Sequence, residues 1–282
     1  MQKIELNAYA KINLALKIMG RREDGFHLLD MAMAEIGLFD TVEVTIKKSG
    51  ITLEVPAGMP GGMKNTAYKA AALYFARAGI RSGANIRIVK HIPERAGLGG
   101  GSSNAGAVLK ALDKLYRAIS PQALHDVARQ VGADVPFFLT GGTARCRGVG
   151  DIVEPLHVKE PLHIVVLCPK TGLGTPLVYQ AYDKQSVHSS GNIEIVCGAL
   201  EKGDTLLLCR SIFNDLEEAA SCLCPEVPAA KEALLEEGAL AAMMSGSGTS
   251  VFGIYASGEE ARGATEKIRE RNRDKYRLIF WQ

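Results

Sequence analysis

A glycine-rich segment near the middle of the chain has the composition of a phosphate-binding loop. Residues 93–101 read Pro-Glu-Arg-Ala-Gly-Leu-Gly-Gly-Gly, and Ser102, Ser103 and Asn104 follow as residues that often begin helices. Glycines let backbone amides approach a ligand, and the first turn of a helix offers unpaired N–H groups to phosphate oxygens. The segment is not a Walker A loop, because no Gly-Lys-Ser or Gly-Lys-Thr follows. Considered alone, the segment could also be a flexible loop before a core helix.

Asp134 has the surroundings of a catalytic carboxylate. It follows a helix predicted at 121–131 and precedes Phe137 and Phe138, which would withdraw it partly from water, as a general base requires. Pro136 disfavours helical backbone at the residue before it, so the segment is predicted to be an extended loop. Without further context, an aspartate in such a loop is more often a turn residue.

Lys11 and Asn13 share one face of a predicted strand. From residue 4 to residue 18 the even positions are apolar, whereas the odd positions are mostly polar and include both residues. This period of two predicts a strand with one buried face. Since strands usually span about 5–6 residues, we expect a bend or two strands here. By itself, the pattern makes Lys11 a solvated lysine.

The remaining pattern predicts an α+β protein of two domains, divided at a loop-rich stretch from 148 to 160. We place the N-terminal domain at 1–156 and the C-terminal domain at 157–282. The predicted strands are 41–47, 51–55, 85–92, 141–147 (with solvated arginines), 162–168, 239–244, 250–255 and 277–281; the predicted helices are 65–78, 105–116, 121–131, 225–237 and 258–271.

Composition excludes several classes of protein. The 282 residues contain 33 basic and 31 acidic side chains, a balance that argues against a nucleic-acid-binding protein. The uncharged stretch from 238 to 258 contains Ser-Gly-Ser-Gly-Thr-Ser, which disfavours a membrane helix. The six cysteines are scattered and predict neither disulfides nor a metal site. We therefore expect a cytoplasmic protein without membrane or nucleic-acid partners, either a monomer or a homodimer.

Three segments together resemble the motifs of the GHMP kinase superfamily. They are Ala-Tyr-Ala-Lys-Ile-Asn-Leu at 8–14, the glycine-rich segment at 93–103 and Met-Ser-Gly-Ser-Gly-Thr-Ser at 244–250. The third segment alone would be read as a hairpin connection. The resemblance implies a two-domain GHMP kinase fold, with an N-terminal domain like domain 2 of ribosomal protein S5 and a C-terminal ferredoxin-like domain.

Four shorter segments resemble one branch of that superfamily. Residues 10–16, 24–28, 132–137 and 214–217 are similar to kinases that phosphorylate the 2-hydroxyl of 4-diphosphocytidyl-2-C-methyl-D-erythritol, in the non-mevalonate route to isoprenoid precursors. Two alternatives stay open: another GHMP kinase, for homoserine or mevalonate, and a non-catalytic nucleotide-binding regulator.

The resemblance also implies site residues and cofactors. ATP would be bound with Mg²⁺, Asp134 would receive the acceptor's proton beside Lys11, and Asn13 would anchor the substrate. No metal ligand can be named, although Ser102 or Ser103 could contribute one oxygen. The expected nucleotide-binding residues are Pro93, Gly97, Leu98, Gly99, Gly100, Gly101, Ser102 and Ser103.

The cytidine end of the acceptor would be recognised by Phe26 and His27. Phe26 would stack on the base where the family more often has tyrosine, and His27 would hydrogen-bond its edge. Thr175 and Tyr179 match a pair that the family uses on the other face of the ring. As alternatives, His27 could be a surface histidine and Tyr179 a core aromatic residue.

Overall fold

The computed structural model describes residues 2–185 and 190–282. Its elements combine two β-sheets with helices packed against them, which confirms the predicted α+β class. In chain order they are β1 (Lys3–Arg21), β2 (His27–Lys47), β3 (Gly50–Glu54), α1 (Thr66–Ala78), β4 (Gly83–Val89), α2 (Gly100–Tyr116), α3 (Pro121–Val131), α4 (Val135–Thr140), β5 (Thr143–Gly148), β6 (Ile152–Pro155), β7 (His163–Pro169), α5 (Thr175–Tyr182), α6 (Ile193–Lys202), α7 (Thr205–Ser211), β8 (Phe213–Asn214), α8 (Glu217–Leu223), α9 (Glu226–Glu236), β9 (Ala241–Met244), β10 (Val251–Tyr255), α10 (Gly258–Asn272) and β11 (Tyr276–Trp281).

The first sheet is built on a long antiparallel hairpin of β1 and β2. Its strands run in the order β3-β4-β2-β1-β8, and β5 and β6 pair beside the first half of β2. The expected break in β1 takes the form of three register shifts, at Tyr9/Ala10, Asn13/Ala15 and Ile18/Gly20, within one continuous strand. Such irregularities bend a strand without ending its pairing. The sequence pattern missed the first part of β2, which begins at His27 and not at 41.

The second sheet is antiparallel, in the order β11-β7-β10-β9. All four strands match predicted segments to within two residues. The two-residue strand β8, from the second half of the chain, pairs in parallel with Ala15 and Leu16 of β1. A buried cluster likewise joins residues of both halves, among them Met33 and Val165. The two halves of the chain therefore pack into a common core.

Two helices begin where sequence reasoning did not place them. Helix α2 starts at Gly100, and its N-cap is Gly99 in the left-handed conformation (φ 71°) and not a serine. The predicted extended backbone before Pro136 is wrong, because Val135–Thr140 forms α4 with the proline in its first turn. Proline fits there, since its missing N–H would have no helical partner at that position. Asp134 is thereby placed at the N-terminal end of a helix.

Arg145 on β5 is not the solvated arginine that the sequence predicts. Its guanidinium donates to both carboxylate oxygens of Asp30, at 2.9 and 2.7 Å, and to Glu194 at 2.7 Å. The hydrogen bonds to Asp30 raise the pKa of Arg145. This ion-pair group connects the first sheet to α6.

Candidate functional site

A cleft of about 1240 Å³ opens between the first sheet, helix α2 and the loops of the second half. The predicted site residues are brought together there with one exception: Ser103 is buried inside α2, only 2% exposed, and lies outside the lining. The predicted residues that line the cleft are Lys11, Asn13, Phe26, His27, Pro93, Gly97, Leu98, Gly99, Gly100, Gly101, Ser102, Asp134, Thr175 and Tyr179.

The glycine-rich segment leads directly into the N-terminus of α2. The first-turn residues Gly100, Gly101 and Ser102, whose amides have no helical acceptor, border the cleft. A Cβ at Gly97 would lie 2.0 Å from the Ser245 carbonyl oxygen, and one at Gly99 would lie 2.8 Å from the Phe138 ring. Larger residues are thus excluded at both positions by packing, not only by their positive φ angles.

Lys11 is buried, so its interpretation as a solvated lysine is wrong. Its side chain is held by two hydrogen bonds, in which Nζ donates to Asn13 Oδ1 at 2.5 Å and to the Gly97 carbonyl at 2.8 Å. Burial lowers the pKa of Lys11, whereas the charge of Asp134 opposes this change. The ammonium therefore lies between the first strand and the glycine-rich loop, within the electrostatic reach of Asp134.

Asp134 is half-buried at the N-terminal end of α4. Besides acting on Lys11, its negative charge helps to raise the pKa of Tyr179 and of Cys146, which burial raises in the first place. Three of these four titratable groups, Lys11, Asp134 and Tyr179, line the cleft, whereas Cys146 is fully buried outside its lining. A carboxylate beside an ammonium, both partly withdrawn from water, can hold and accept a proton from a bound alcohol.

The glycine-serine loop between β9 and β10 does more than connect a hairpin. Ser245 Oγ donates to the Gly97 carbonyl at 2.9 Å and accepts from the Asn13 backbone N–H at 3.2 Å. A Cβ at Gly246 would lie 3.0 Å from Lys11 Nζ. The third sequence motif thus packs against the other two around the lysine.

Asn214 holds this loop in place, a role that the sequence did not reveal. Its side-chain amide donates to the carbonyls of Met244 and Gly246, both at 2.8 Å, and its Oδ1 accepts from Leu216 N at 3.0 Å. The next residue, Asp215, accepts from the backbone N–H of Ile18 at 2.8 Å. The similarity of segment 214–217 to one kinase branch was the only signal in the sequence.

Asp40 is a second residue that sequence reasoning missed. It is fully buried and accepts from the backbone N–H groups of His91 and Ile92, at 2.7 and 2.9 Å, and from Asn104 Nδ2 at 2.8 Å. Lys90 Nζ also donates to it. The carboxylate therefore connects the start of the glycine-rich loop to α2. The sequence did not indicate this role, because an aspartate inside a predicted strand has no distinctive pattern.

The residues expected to bind cytidine all line the cleft. Phe26 is 62% exposed there, whereas the His27 ring stacks on Tyr179 with centroids 4.7 Å apart and an interplanar angle of 26°. One face of Tyr179 is thus covered by His27. Thr175 Oγ1 lies 2.9 Å from Ser247 Oγ, which joins α5 to the third loop.

Among the described residues, no helix is long and apolar enough to cross a membrane, and no group of three or more His, Cys, Asp or Glu side chains could hold a metal ion.

Comparison with known proteins places these features in a family. Residues 65–142 match the model of the GHMP kinases N-terminal domain, and residues 198–274 match that of the GHMP kinases C-terminal domain. The chain is 41% identical to the 4-diphosphocytidyl-2-C-methyl-D-erythritol kinase of Desulfitobacterium hafniense (strain Y51), over 96% of this chain and 93% of that protein.

Solved structures support the same family assignment. A crystal structure of 4-(cytidine 5'-diphospho)-2C-methyl-D-erythritol kinase superimposes with a TM-score of 0.83 at 38% identity, covering 99% of this chain and 98% of that one. A homoserine kinase from Cytophaga hutchinsonii has a TM-score of 0.79 at 24% identity, covering 96% of this chain and 90% of that one, and shares the fold.

Proposed function

The chain belongs to the 4-diphosphocytidyl-2-C-methyl-D-erythritol kinases of the GHMP kinase superfamily, and from this premise we propose how its cleft carries out the reaction. The enzyme transfers the terminal phosphoryl group of ATP to the 2-hydroxyl of 4-diphosphocytidyl-2-C-methyl-D-erythritol, a step towards isoprenoid precursors. The observation that carries the assignment of roles is the meeting of Lys11, Asp134 and two glycine loops in one cleft.

Asp134 and Lys11 act on the acceptor hydroxyl. In the transfer, a bond forms between the hydroxyl oxygen and phosphorus, the bond to the leaving diphosphate breaks, and the Asp134 carboxylate takes the proton. The Lys11 ammonium, which lies within the electrostatic reach of Asp134, faces the charge on the transferring group. Because phosphoryl transfer depends chiefly on positioning, the two hydrogen bonds that hold Lys11 are part of the mechanism.

The phosphates of ATP are assigned to the N-terminus of α2. Backbone amides of Gly100, Gly101 and Ser102 border the cleft at the positive end of the helix dipole. Ser103 is buried, so its contribution is to pack the helix rather than to contact the nucleotide through its hydroxyl.

Mg²⁺ is compatible with the residues present. This ion keeps several waters and usually binds substrate phosphates with few protein oxygens, so a cage of carboxylates is not required. Of the two serines predicted to contribute an oxygen, Ser102 lines the cleft and Ser103 does not, so we assign that role to the Ser102 hydroxyl. When bound, the ion would neutralise charge on the phosphate oxygens.

Cytidine recognition is assigned to the part of the cleft that Phe26 and His27 line. The exposed ring can stack on a pyrimidine, and His27 can hydrogen-bond its edge. Because Tyr179 has one face covered by His27, its role is first to support the histidine. Thr175 and Asn13 remain our candidates for contacts to the rest of the acceptor.

ADP release with different acceptors tests this function. We expect turnover with the cytidine-linked methylerythritol and none with homoserine or mevalonate. Turnover with homoserine or mevalonate instead would favour the other GHMP kinases, and nucleotide binding without turnover on any acceptor would favour a regulator.

The predicted cellular and domain organisation also remains our proposal. A location in the cytoplasm suits a kinase that depends on ATP. A division at 156/157 is supported by the change of sheet, because β6 ends at Pro155 and β7 starts the second sheet at His163.

A further inference from the structure

Asp183 lies directly after α5 and lines the cleft beside His27, to which cytidine recognition is assigned. Its carboxylate is 2.7 Å from His27 Nε2 and 3.3 Å from Arg21 Nη1. The side chain of His27 is only 10% exposed. The carboxylate therefore joins the β1–β2 hairpin, which carries His27, to the second half of the chain.

The His27 ring is held in one orientation. It stacks on Tyr179, and Tyr182 meets it nearly edge-on, with centroids 6.3 Å apart and an angle of 85°. An ionised carboxylate can only accept hydrogen bonds, so the hydrogen between His27 and Asp183 belongs to Nε2. In the neutral ring, Nδ1 then carries a lone pair and accepts.

We propose that Asp183 is a positioning residue that determines base specificity, because it keeps the hydrogen of His27 on Nε2 and leaves Nδ1 to accept from the exocyclic amino group of cytosine. The inference rests on the proposed function, which puts a cytosine ring beside Phe26. Uracil has a carbonyl oxygen where cytosine has the amino group, so two acceptors would face each other and the uridine analogue would be rejected.

Kinetics with two acceptors test the role. Wild type and Asp183→Asn are assayed by ADP release with the cytidine-linked methylerythritol and its uridine analogue. An amide at 183 can turn its NH₂ group towards Nε2, which favours the opposite tautomer with the hydrogen on Nδ1. We expect the ratio of kcat/KM for cytidine over uridine to fall about tenfold or more, mainly through the KM of the cytidine acceptor, with the KM of ATP unchanged.

Two further variants separate this effect from a general loss of charge or structure. Asp183→Glu retains a carboxylate and should restore part of the discrimination. Glu154, on β6 and outside the cleft, forms an exposed ion pair with Arg147. Glu154→Gln makes the same change from carboxylate to amide there and should leave the ratio at the wild-type value. An unchanged ratio in Asp183→Asn would overturn the inference.

The tautomer itself is measured without any substrate. Nitrogen-15 NMR of the ligand-free protein, with the His27 signals assigned by comparison with His27→Gln, should show the hydrogen on Nε2 in wild type and on Nδ1 in Asp183→Asn. A wild-type ring with its hydrogen on Nδ1 would refute the role of Asp183 whatever the substrate. Absence of wild-type turnover with the cytidine acceptor would instead refute the proposed function.

Discussion

At the scale of single residues, Asp134 owes its position to backbone that the sequence suggested would be extended. It stands at the N-terminal end of α4, half-buried and within the electrostatic reach of Lys11. The chemistry assigned to it needs a carboxylate, not only a polar group that accepts hydrogen bonds.

Asp134→Asn tests that assignment. The amide keeps the size of the side chain but cannot take a proton, so we expect kcat to fall by about 10²-fold or more, while ATP binding by calorimetry stays near wild type. A variant with wild-type kcat would exclude Asp134 as the proton acceptor.

Lys11 shows how a functional residue can oppose stability. Lys11 is 4% exposed, and burial lowers its pKa, so the folded protein carries the cost of a desolvated charge. Lys11→Met removes that charge. The Gly97 carbonyl still accepts from Ser245, whereas the buried Asn13 Oδ1 loses the Lys11 donor, which offsets part of the gain. We expect turnover to be lost while the free energy of unfolding stays level or rises by about 1 kcal/mol.

The pH dependence of stability checks the sign of this argument. Since the folded pKa of Lys11 lies below its unfolded value, the unfolded chain binds more protons between the two, and wild type gains stability as the pH rises through that interval. Lys11→Met lacks this gain. The melting temperature of the variant relative to that of wild type should therefore fall between neutral pH and about pH 10. An advantage that grows with pH would contradict the lowered pKa.

At the scale of elements, β8 is short but connects the two sheets. Its Asn214 supports the loop between β9 and β10 through two hydrogen bonds to backbone carbonyls. That loop in turn contacts Gly97 and Lys11, so a displacement of the loop would also displace residues of the site.

Asn214→Asp replaces the side-chain amide that donates these hydrogen bonds with a carboxylate of nearly the same shape. The new oxygens would face the carbonyls of Met244 and Gly246, so we expect kcat to fall about tenfold and the free energy of unfolding to fall by about 2–3 kcal/mol. Both are measured by steady-state kinetics and denaturant unfolding. Asn7→Asp, the same change at an exposed position of β1, is the matched control. Equal behaviour of the two variants would remove Asn214 from the support of the loop.

At the scale of the whole molecule, the cleft depends on a core that both halves of the chain build. Buried residues of the first half, such as Met31 and Phe137, share a cluster with Leu167 and Val251 of the second. The parallel pairing of β8 with β1 adds a backbone connection between the halves.

A fragment of residues 1–156 should therefore not reproduce the folded first half. It would expose the apolar side chains that the second half covers, so we expect it to lack a cooperative thermal transition and dispersed NMR signals, with the full chain as control. A cooperative transition in the fragment would show that the shared core is dispensable.

How far the sequence predicts the molecule depends on the range of the interactions. Helix α3 and strands β7 and β10 follow local periodicity, and their bounds were predicted to within a residue or so. The first part of β2 was missed because its pairing with β1 and β5 determines which of its side chains are buried. Helix α4 was missed because a proline that disfavours helix at one position is favourable in a first turn.

The sequence by itself determined the glycine-rich segment, the shared strand face of Lys11 and Asn13, and the motifs that name the family, since all of these are local in the chain. Only the tertiary structure decided that Lys11 is buried, that Ser103 lies outside the cleft, and that Asp183 holds His27. Those properties arise from contacts between residues far apart in sequence, such as 27 and 183. A local pattern of residue types does not specify which distant residues will pack against a side chain and exclude water from it.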